Sequence, residues 1–444
     1  MKARRSLPAL LSLVAAAVLP AACGGGESDP QASAADRCTT LGQVEFVRDT
    51  LQDIYFWYRE LPDPAPEGFS SPEAYLEAVR YRPLDESFSY IADRAESEAF
   101  FSESQFIGIG LATQQTSATE LRLAEVFPGS PASEAGLARG DFLLAINGRP
   151  VPDLLQTGDI GSVFGPSEAG VTVSLTWRSL DDGRSRSATL TKRAVTIPTV
   201  SATRVFAPRR GPRVGYVSFR NFVQPSTAAL NAAFRTLREE GAQELVLDLR
   251  YNGGGLLSVA QHLGGLIGGE ATAGQVFVEL FHNDKNQGRN SVLRFEQPAE
   301  AVGFPRLVAI TTRASASASE SVINGLRPFM PVTLVGDATF GKPVGQYGFD
   351  FCAKTLFPVA FEARNALGDG DYYGGMPVGC AAADDLDHEL GDPDEASLGE
   401  SLEFLRTGRC TPSAAPAARA HAAREALVGR GQPQDGWRRL VGAY

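Results

Sequence analysis

Histidine is scarce in this chain. There are four, His262, His282, His388 and His421. None sits in a recognisable catalytic pattern, and no G-x-S-x-G nucleophile elbow occurs anywhere. A histidine-dependent serine triad therefore has no support in the sequence. Cys/His ligand spacings and phosphate-cradling glycine loops are missing too, which gives the expectation of no metal site and no cofactor. Basic charge is in deficit. The formal net charge is −11, and an acidic chain repels phosphate backbones, so no nucleic acid is expected among its partners. Lysine is rarer than its share of the 41 basic residues would suggest. Only Lys2, Lys192, Lys285, Lys342 and Lys354 are present, and arginine supplies the remaining surface charge.

A chain of 444 residues with 43% hydrophobic composition has material for two or three domains with ordinary cores. The start, "MKARRSLPALLSLVAAAVLPAAC", is basic, then apolar over a short run, then small in side chain, which is the pattern of a secretory signal. Its end resembles a bacterial lipobox, with Pro20 where leucine is usual. The resemblance implies residues 1–23 as a lipoprotein signal peptide with lipidation at Cys23. Gly24 after that cysteine implies sorting to the outer membrane. The expected location is the cell envelope, in the periplasm, with membrane contact through the lipid anchor only. In that oxidising setting Cys38, Cys352, Cys380 and Cys410 are expected to form two disulfides. Of the three pairings, Cys352–Cys380 with Cys38–Cys410 is favoured, because the first two flank one hairpin-like segment.

Residues 24–36 read as a flexible polar linker. Residues 37–103 form a helical N-terminal region, with one amphipathic helix expected over "LGQVEFVRDTLQDIYFWYREL" and another over "SPEAYLEAVRYRP". Residues 104–195 change to alternating strands and glycine turns. "FIGIGLATQ" and "PGSPASEAGLARGDFLLAINGRPV" resemble a PDZ domain, a small β-sandwich-like fold. The resemblance implies that the loop Gly108, Ile109, Gly110 and Leu111 offers N–H groups to a peptide carboxylate, with the peptide adding to the sheet edge. Residues 196–410 alternate apolar strands with helices, the signature of an α/β layer. Residues 411–444 read as a peripheral tail.

The stretch "LVAITTRASASASESVINGLRP" places serines at 315, 317, 319 and 321, where a strand should turn into a helix. A serine hydroxyl attacks a carbonyl only if a base takes its proton. With histidine unsuited, lysine is the candidate. Lys342 lies in "VTLVGDATFGKPVGQ", beyond an apolar strand and between glycines. Arginine could not replace it as a base. A free lysine, with pKa near ~10.4, is almost wholly charged at neutral pH. An apolar pocket lowering it by ~3 units would cost about 4 kcal/mol of differential solvation. A third element, "LDLRYNGGGLL", puts three glycines after a buried strand, where backbone N–H groups can face a developing oxyanion.

As a set, "DLR-x-N-GGG", "SASASE" and "TFGK" with a glutamine four residues after the lysine resemble the C-terminal processing (tail-specific) serine peptidase family, here as a bacterial lipoprotein-type member. The resemblance covers roughly residues 105–410. It implies an α/β multidomain fold: helical N-terminal region, PDZ domain and an α/β peptidase core with crotonase-like or ClpP-like layers. It makes Ser317 the nucleophile, Lys342 the general base at the family's spacing, and Gln346 the residue that orients it. Oxyanion donors are then the N–H of Ala318 and of Gly255, with Gly254 as the second choice. After the lysine this chain reads Pro343, Val344, Gly345 and Gln346 where the family commonly has G-x-V-Q. Ser315, Ser319 and Ser321 are expected to satisfy backbone groups at the helix start, with Ser319 and Glu320 as its cap.

The function implied is a serine endopeptidase acting on extracytoplasmic proteins or peptides with accessible C-termini, the PDZ domain holding the chain end. Whether an adaptor protein takes part is left open. The alternative from a different class is a non-catalytic envelope lipoprotein that recruits peptides through its PDZ domain.

Overall fold

The computed structural model describes residues 37–209 and 211–412. The expected leader at 1–23 with Cys23, the linker at 24–36 and nearly all of the expected tail at 411–444 lie outside the described residues. No helix among the described residues is long and apolar enough to cross a membrane.

The N-terminal region opens with α1 (Thr40–Ile54), capped by the Thr39 hydroxyl on the Gly42 N–H. It buries Val44, Val47, Leu51 and Ile54, a stripe at helical spacing. The helix stops earlier than the sequence suggests. The Tyr55 hydroxyl turns inward to Asp85, and the Phe56 N–H donates to Val359 O instead of continuing the helix. Helix α2 (Pro72–Val79) starts with Ser71 as cap and proline in the first turn. It ends at Val79, short of the expected 83. Strand β1 (Tyr90–Asp93) and helix α3 (Arg94–Glu103) follow. This region does not own its core. Its buried residues pack with Val344, Phe351, Leu356 and Val359, from far along the chain.

The middle region folds as an antiparallel sheet. Strand β3 (Leu111–Ser117) lies at one edge and Glu120–Val126, Phe142–Ile146, Thr172–Arg178 and Ser185–Thr191 follow in order. Its core centres on the buried Trp177 with Leu111, Leu123, Ile146 and Leu154. Before it, β2 (Gln105–Gly108) pairs with β4 (Arg193–Thr196), so the region's entry and exit are clasped together.

The third region carries the main sheet, in the order β5 (Val200–Phe206), β6 (Val214–Phe219), β7 (Glu244–Asp248), β8 (Leu307–Thr311), β9 (Val332–Gly336) and β14 (Cys380–Ala381). All pairings are parallel except that of the edge strand β5. Strands β6, β7 and β8 are buried throughout, as parallel strands covered on both faces must be. Helices α4 (Ser226–Glu239), α5 (Leu257–Gly268) and α6 (Ala318–Leu326) cover one face, and α7 (Ala396–Thr407) the other. Between β9 and β14 the chain makes β10 (Val344–Gln346), β11 (Phe349–Phe351), β12 (Lys354–Phe357) and β13 (Val359–Arg364). Strand β10 pairs with β13, while β12 joins β11 and the N-terminal β1 in a separate three-stranded sheet. The expected α/β multidomain class is what the chain adopts.

The disulfide pairing differs from the favoured one. Cys38 bonds Cys352 and Cys380 bonds Cys410. Closeness in sequence misled because Cys352 and Cys380 belong to different sheets. Cys352 sits in the β11–β12 turn beside the start of α1. Cys380 begins the edge strand β14, and α7, lying across that sheet, returns Cys410 to it.

At the C-terminal end of β7, Arg250 is almost fully buried among carboxylates. It bonds Asp248 at 2.8 Å, Glu395 at 2.7 Å and Asp384 at 3.1 Å. Glu395 also caps α7 through the Leu398 N–H. Arg250→Ala strands three buried acceptors, and removing one partner of such a cluster costs about 3–5 kcal/mol. A fall in urea unfolding free energy of about that size is the expected outcome.

Candidate active site

The serine-rich turn lies where β8 ends and α6 begins, at the carboxyl edge of the parallel sheet, where open α/β sheets place their crevices. It is laced to the loop that follows β7. The Ser315 hydroxyl donates to Leu249 O at 2.7 Å and accepts from the Thr312 N–H at 3.0 Å. The Ser319 hydroxyl donates to Asn252 O at 2.8 Å, and the Ala316 N–H reaches the same carbonyl. So Ser315 and Ser319 satisfy carbonyls of the neighbouring loop, not of their own helix start as expected. Ser315, Ser319 and Ser321 are buried. Ser317 alone of the four is half-open to solvent.

Ser317 has φ +56° and ψ −113°, a backbone region that L-residues rarely adopt. Such a conformation costs about 1–3 kcal/mol and persists only where surroundings impose it. Here Glu320 imposes it. Its carboxylate accepts the Ser317 N–H at 2.8 Å, closing a capping box in which Ser317, not Ser319, is the cap. The same oxygen accepts the Lys342 N–H at 2.9 Å. The two backbone nitrogens are thus no further apart than the sum of those two bonds. The other oxygen takes the Gly341 N–H at 2.8 Å and the Thr339 hydroxyl at 2.5 Å. Glu320 is fully buried. Burial pushes its carboxyl above the usual range, while the Thr339 hydroxyl and the three N–H donors pull it down.

Lys342 is buried, at 6% exposure. Its amine donates to Gln346 Oε1 at 2.5 Å and lies 5.8 Å from the centre of the Phe88 ring. Gln346 lies on β10, and its Nε2 donates to the carbonyls of Phe88 and Phe357. Pro343 does not disturb this arrangement. The Pro343 carbonyl accepts the Ala363 N–H, which keeps β10 in its sheet.

The glycine run faces the serine turn. A Cβ on Gly254, whose φ is +107°, would lie 2.9 Å from both Ser317 Cβ and Ala316 O, and 3.0 Å from Ala318 N. Only glycine fits that approach. The Gly254 N–H is already taken by the Asn252 side chain at 2.9 Å. Gly255, at φ +133°, is bridged to Phe222, where a Cβ would meet the Phe222 carbonyl. That bridge uses the Gly254 carbonyl and the Leu256 N–H, not the Gly255 N–H.

In the middle region, Gly108 ends β2 opposite Arg193, and Leu111 begins the edge strand β3. Ile109 and Leu111 point into the core, and Gly110 at φ +88° presses against Ser130. This region is tied to the third by arginines. Arg139 donates to the Tyr251 hydroxyl at 2.7 Å and pairs with Asp384, and Arg220 pairs with Glu125 at 2.5 Å. Tyr251 directly precedes Asn252 and the glycine run. His388 in the acidic loop pairs with Asp385 on the surface. Among the described residues one Cys/Glu group, Cys380, Glu400 and Cys410, has metal-like spacing, but its two cysteines are spent in a disulfide.

Glu320, Asn252, Thr339 and Phe88 were not singled out from sequence as site residues. The S-x-x-E box of Ser317 and Glu320 was the one local signal available. Phe88 gave none, because its part is played by a backbone carbonyl from another region.

Three family signatures match this chain in order: Peptidase S41 N-terminal domain over residues 42–90, PDZ domain over 123–178 and Peptidase family S41 over 213–363. The carboxyl-terminal-processing protease of Synechocystis sp. is 30% identical across 55% of this chain and 54% of its own length. The carboxy-terminal processing protease CtpA of Bacillus subtilis is 24% identical across 59% and 53%. This chain thus spans about half the length of these curated relatives. A Bacteroides fragilis protein described as an S41 protease has a solved structure that superimposes with a TM-score of 0.66 at 26% identity, covering 82% of this chain and 97% of that one. Residues 42–90 and 213–363, the latter stretch holding Ser317 and Lys342, thus belong by their matches to peptidase family S41, with a PDZ domain between them.

Proposed function

We propose that the protein is a serine endopeptidase using a Ser317–Lys342 dyad, which cleaves extracytoplasmic proteins or peptides at or near their C-termini. The observation that carries this reading is the shared Glu320 oxygen, which brings together the backbone of the one serine of the 315–321 turn that is open to solvent and of a buried lysine. In the reaction, the neutral amine of Lys342 takes the Ser317 proton as the hydroxyl oxygen attacks the scissile carbonyl. Gln346 Oε1 holds the amine so that its lone pair faces the serine. The N–H groups of Ala318 and Gly255 receive the oxyanion at the N-terminus of α6, where the helix dipole favours negative charge. The lysine then passes its proton to the leaving amine, and water, deprotonated by the same lysine, releases the acyl group.

The PDZ domain captures the substrate's C-terminal carboxylate at the Gly108–Leu111 loop, with β3 as the strand to which the chain end adds. The edge position of β3 supports this. Lipidation at Cys23 and residence in the periplasm at the outer membrane belong to the same reading, and incorporation of labelled fatty acid that is lost in Cys23→Ser tests them.

Ser317→Ala and Lys342→Arg are each expected to lower kcat about 10⁴-fold or more with the fold intact. Hydrolysis of unfolded casein, beside circular dichroism, measures this; undiminished turnover in either variant ends the dyad. Glu320→Ala leaves four donors without their acceptor, an expected loss of about 1–3 kcal/mol in urea unfolding for each one that stays buried and unsatisfied. It also frees the Ser317 turn, so labelling of Ser317 by a fluorophosphonate should slow together with turnover. For a model peptide substrate, amidation of the C-terminus is expected to lower kcat/KM about tenfold by removing the charge that the PDZ loop receives. Equal rates for acid and amide would remove the PDZ domain from substrate capture.

A further inference from the structure

The orientation of Gln346 is decided outside the peptidase sheet. An amide side chain has one accepting and one donating end, and its neighbours determine which end points where. Nε2 of Gln346 faces two carbonyls, Phe88 O and Phe357 O. Oε1 is thereby left facing the Lys342 amine. Phe357 lies on β12, and its partner across the ladder is Tyr90 on β1. Both acceptors thus sit at one seam, and one of them comes from the N-terminal region.

The Phe88 carbonyl is presented by a turn that a single buried carboxylate builds. Asp85 is fully buried. Its Oδ1 accepts the N–H of Phe88 at 2.7 Å and of Ser89 at 2.9 Å. Its Oδ2 accepts the Ser89 hydroxyl at 2.6 Å and the Tyr55 hydroxyl at 2.9 Å. The Ser89 hydroxyl accepts the Val359 N–H at 2.9 Å, and the Ser89 carbonyl takes an Arg80 guanidinium N–H at 3.0 Å. The turn is therefore bolted both to α1 and to β13. Its Phe88 ring packs edge-on against Phe340, two residues before Lys342, with the centroids 5.9 Å apart. A buried carboxylate with four donors is costly to build and rigid once built. Here that rigidity is transmitted to the amide that aims the base.

We infer that Asp85 is a positioning residue for the reaction: through the Phe88 carbonyl it fixes Gln346, and through Gln346 the amine of Lys342. The N-terminal region is then part of the catalytic apparatus and not an appendage to it. This rests on the Ser–Lys reading above.

The test uses the whole chain, with unfolded casein as substrate and thermal melting as the fold control. Asp85→Ala is expected to lower kcat about tenfold or more, since small displacements of a catalytic group are expensive, while KM stays within about twofold. Asp85→Asn keeps an acceptor for the two N–H groups and should recover part of the loss. In a Gln346→Ala background, substitution of Asp85 should cost little more, because the link it acts through is already gone. Should Asp85→Ala fail to fold, the same cycle is run with Asp85→Asn. Unchanged kcat, or losses that multiply independently in the double variant, would overturn the inference. Ser317→Ala separates the two readings: its retained turnover would sink the dyad, whereas a dead Ser317→Ala beside a fully active Asp85→Ala would sink only the role of Asp85.

Discussion

A carboxylate with no access to water holds the site together. Glu320 accepts one hydrogen bond from the backbone of Ser317, one from that of Lys342, and two more from the loop between β9 and Lys342. Buried acids survive only when their lone pairs are met. Four donors converging on one acid therefore constrain one another. Neither the Ser317 turn nor the loop that leads to Lys342 can move without stranding a partner of the other. The unusual backbone of Ser317 is sustained by this constraint, and the smallness of Ala316, Ala318 and Gly254 follows from how closely the two loops must approach.

The same device recurs around the site. Asp85 meets four donors and shapes the turn that reaches Gln346. Arg250, one strand over, gathers Asp248, Asp384 and Glu395 and so pins α7 and the acidic loop beneath the glycine run. Arg139 of the PDZ domain reaches Tyr251 and Asp384, and Arg220, just past β6, pairs with Glu125 of the PDZ domain. The acidic segment around residues 384–395, which by composition could be a solvated surface, is in large part an anchor for buried arginines. Its acidity is matched inside the fold.

The chain's three regions are interdependent as a result. The helical region shares its core with β10 to β13, and one disulfide joins its start to the β11–β12 turn. The PDZ domain keeps a core of its own, and it meets the rest of the chain through a small apolar cluster, in which Phe106, Phe127 and Val195 pack with Phe100 and Val223, and through polar contacts. That difference is physical. A core shared between regions makes them inseparable, whereas separate cores joined by a small seam leave units that each could hold their shape.

Much of this was legible in one dimension. Apolar runs bounded by turns marked the buried parallel strands, and glycine-punctuated alternation marked the PDZ domain, because strand burial and turn geometry are local matters. The clustering of serines before α6 and the isolation of Lys342 between glycines singled out both segments. Which serine is open, that Glu320 ties Ser317 to Lys342, that Phe88 orients Gln346 and which cysteines pair were settled only by the tertiary structure. Each depends on segments distant in sequence meeting at a sheet edge. A backbone carbonyl such as that of Phe88 carries no mark of identity, and a helix-capping glutamate looks the same in sequence whether it serves one helix or two loops.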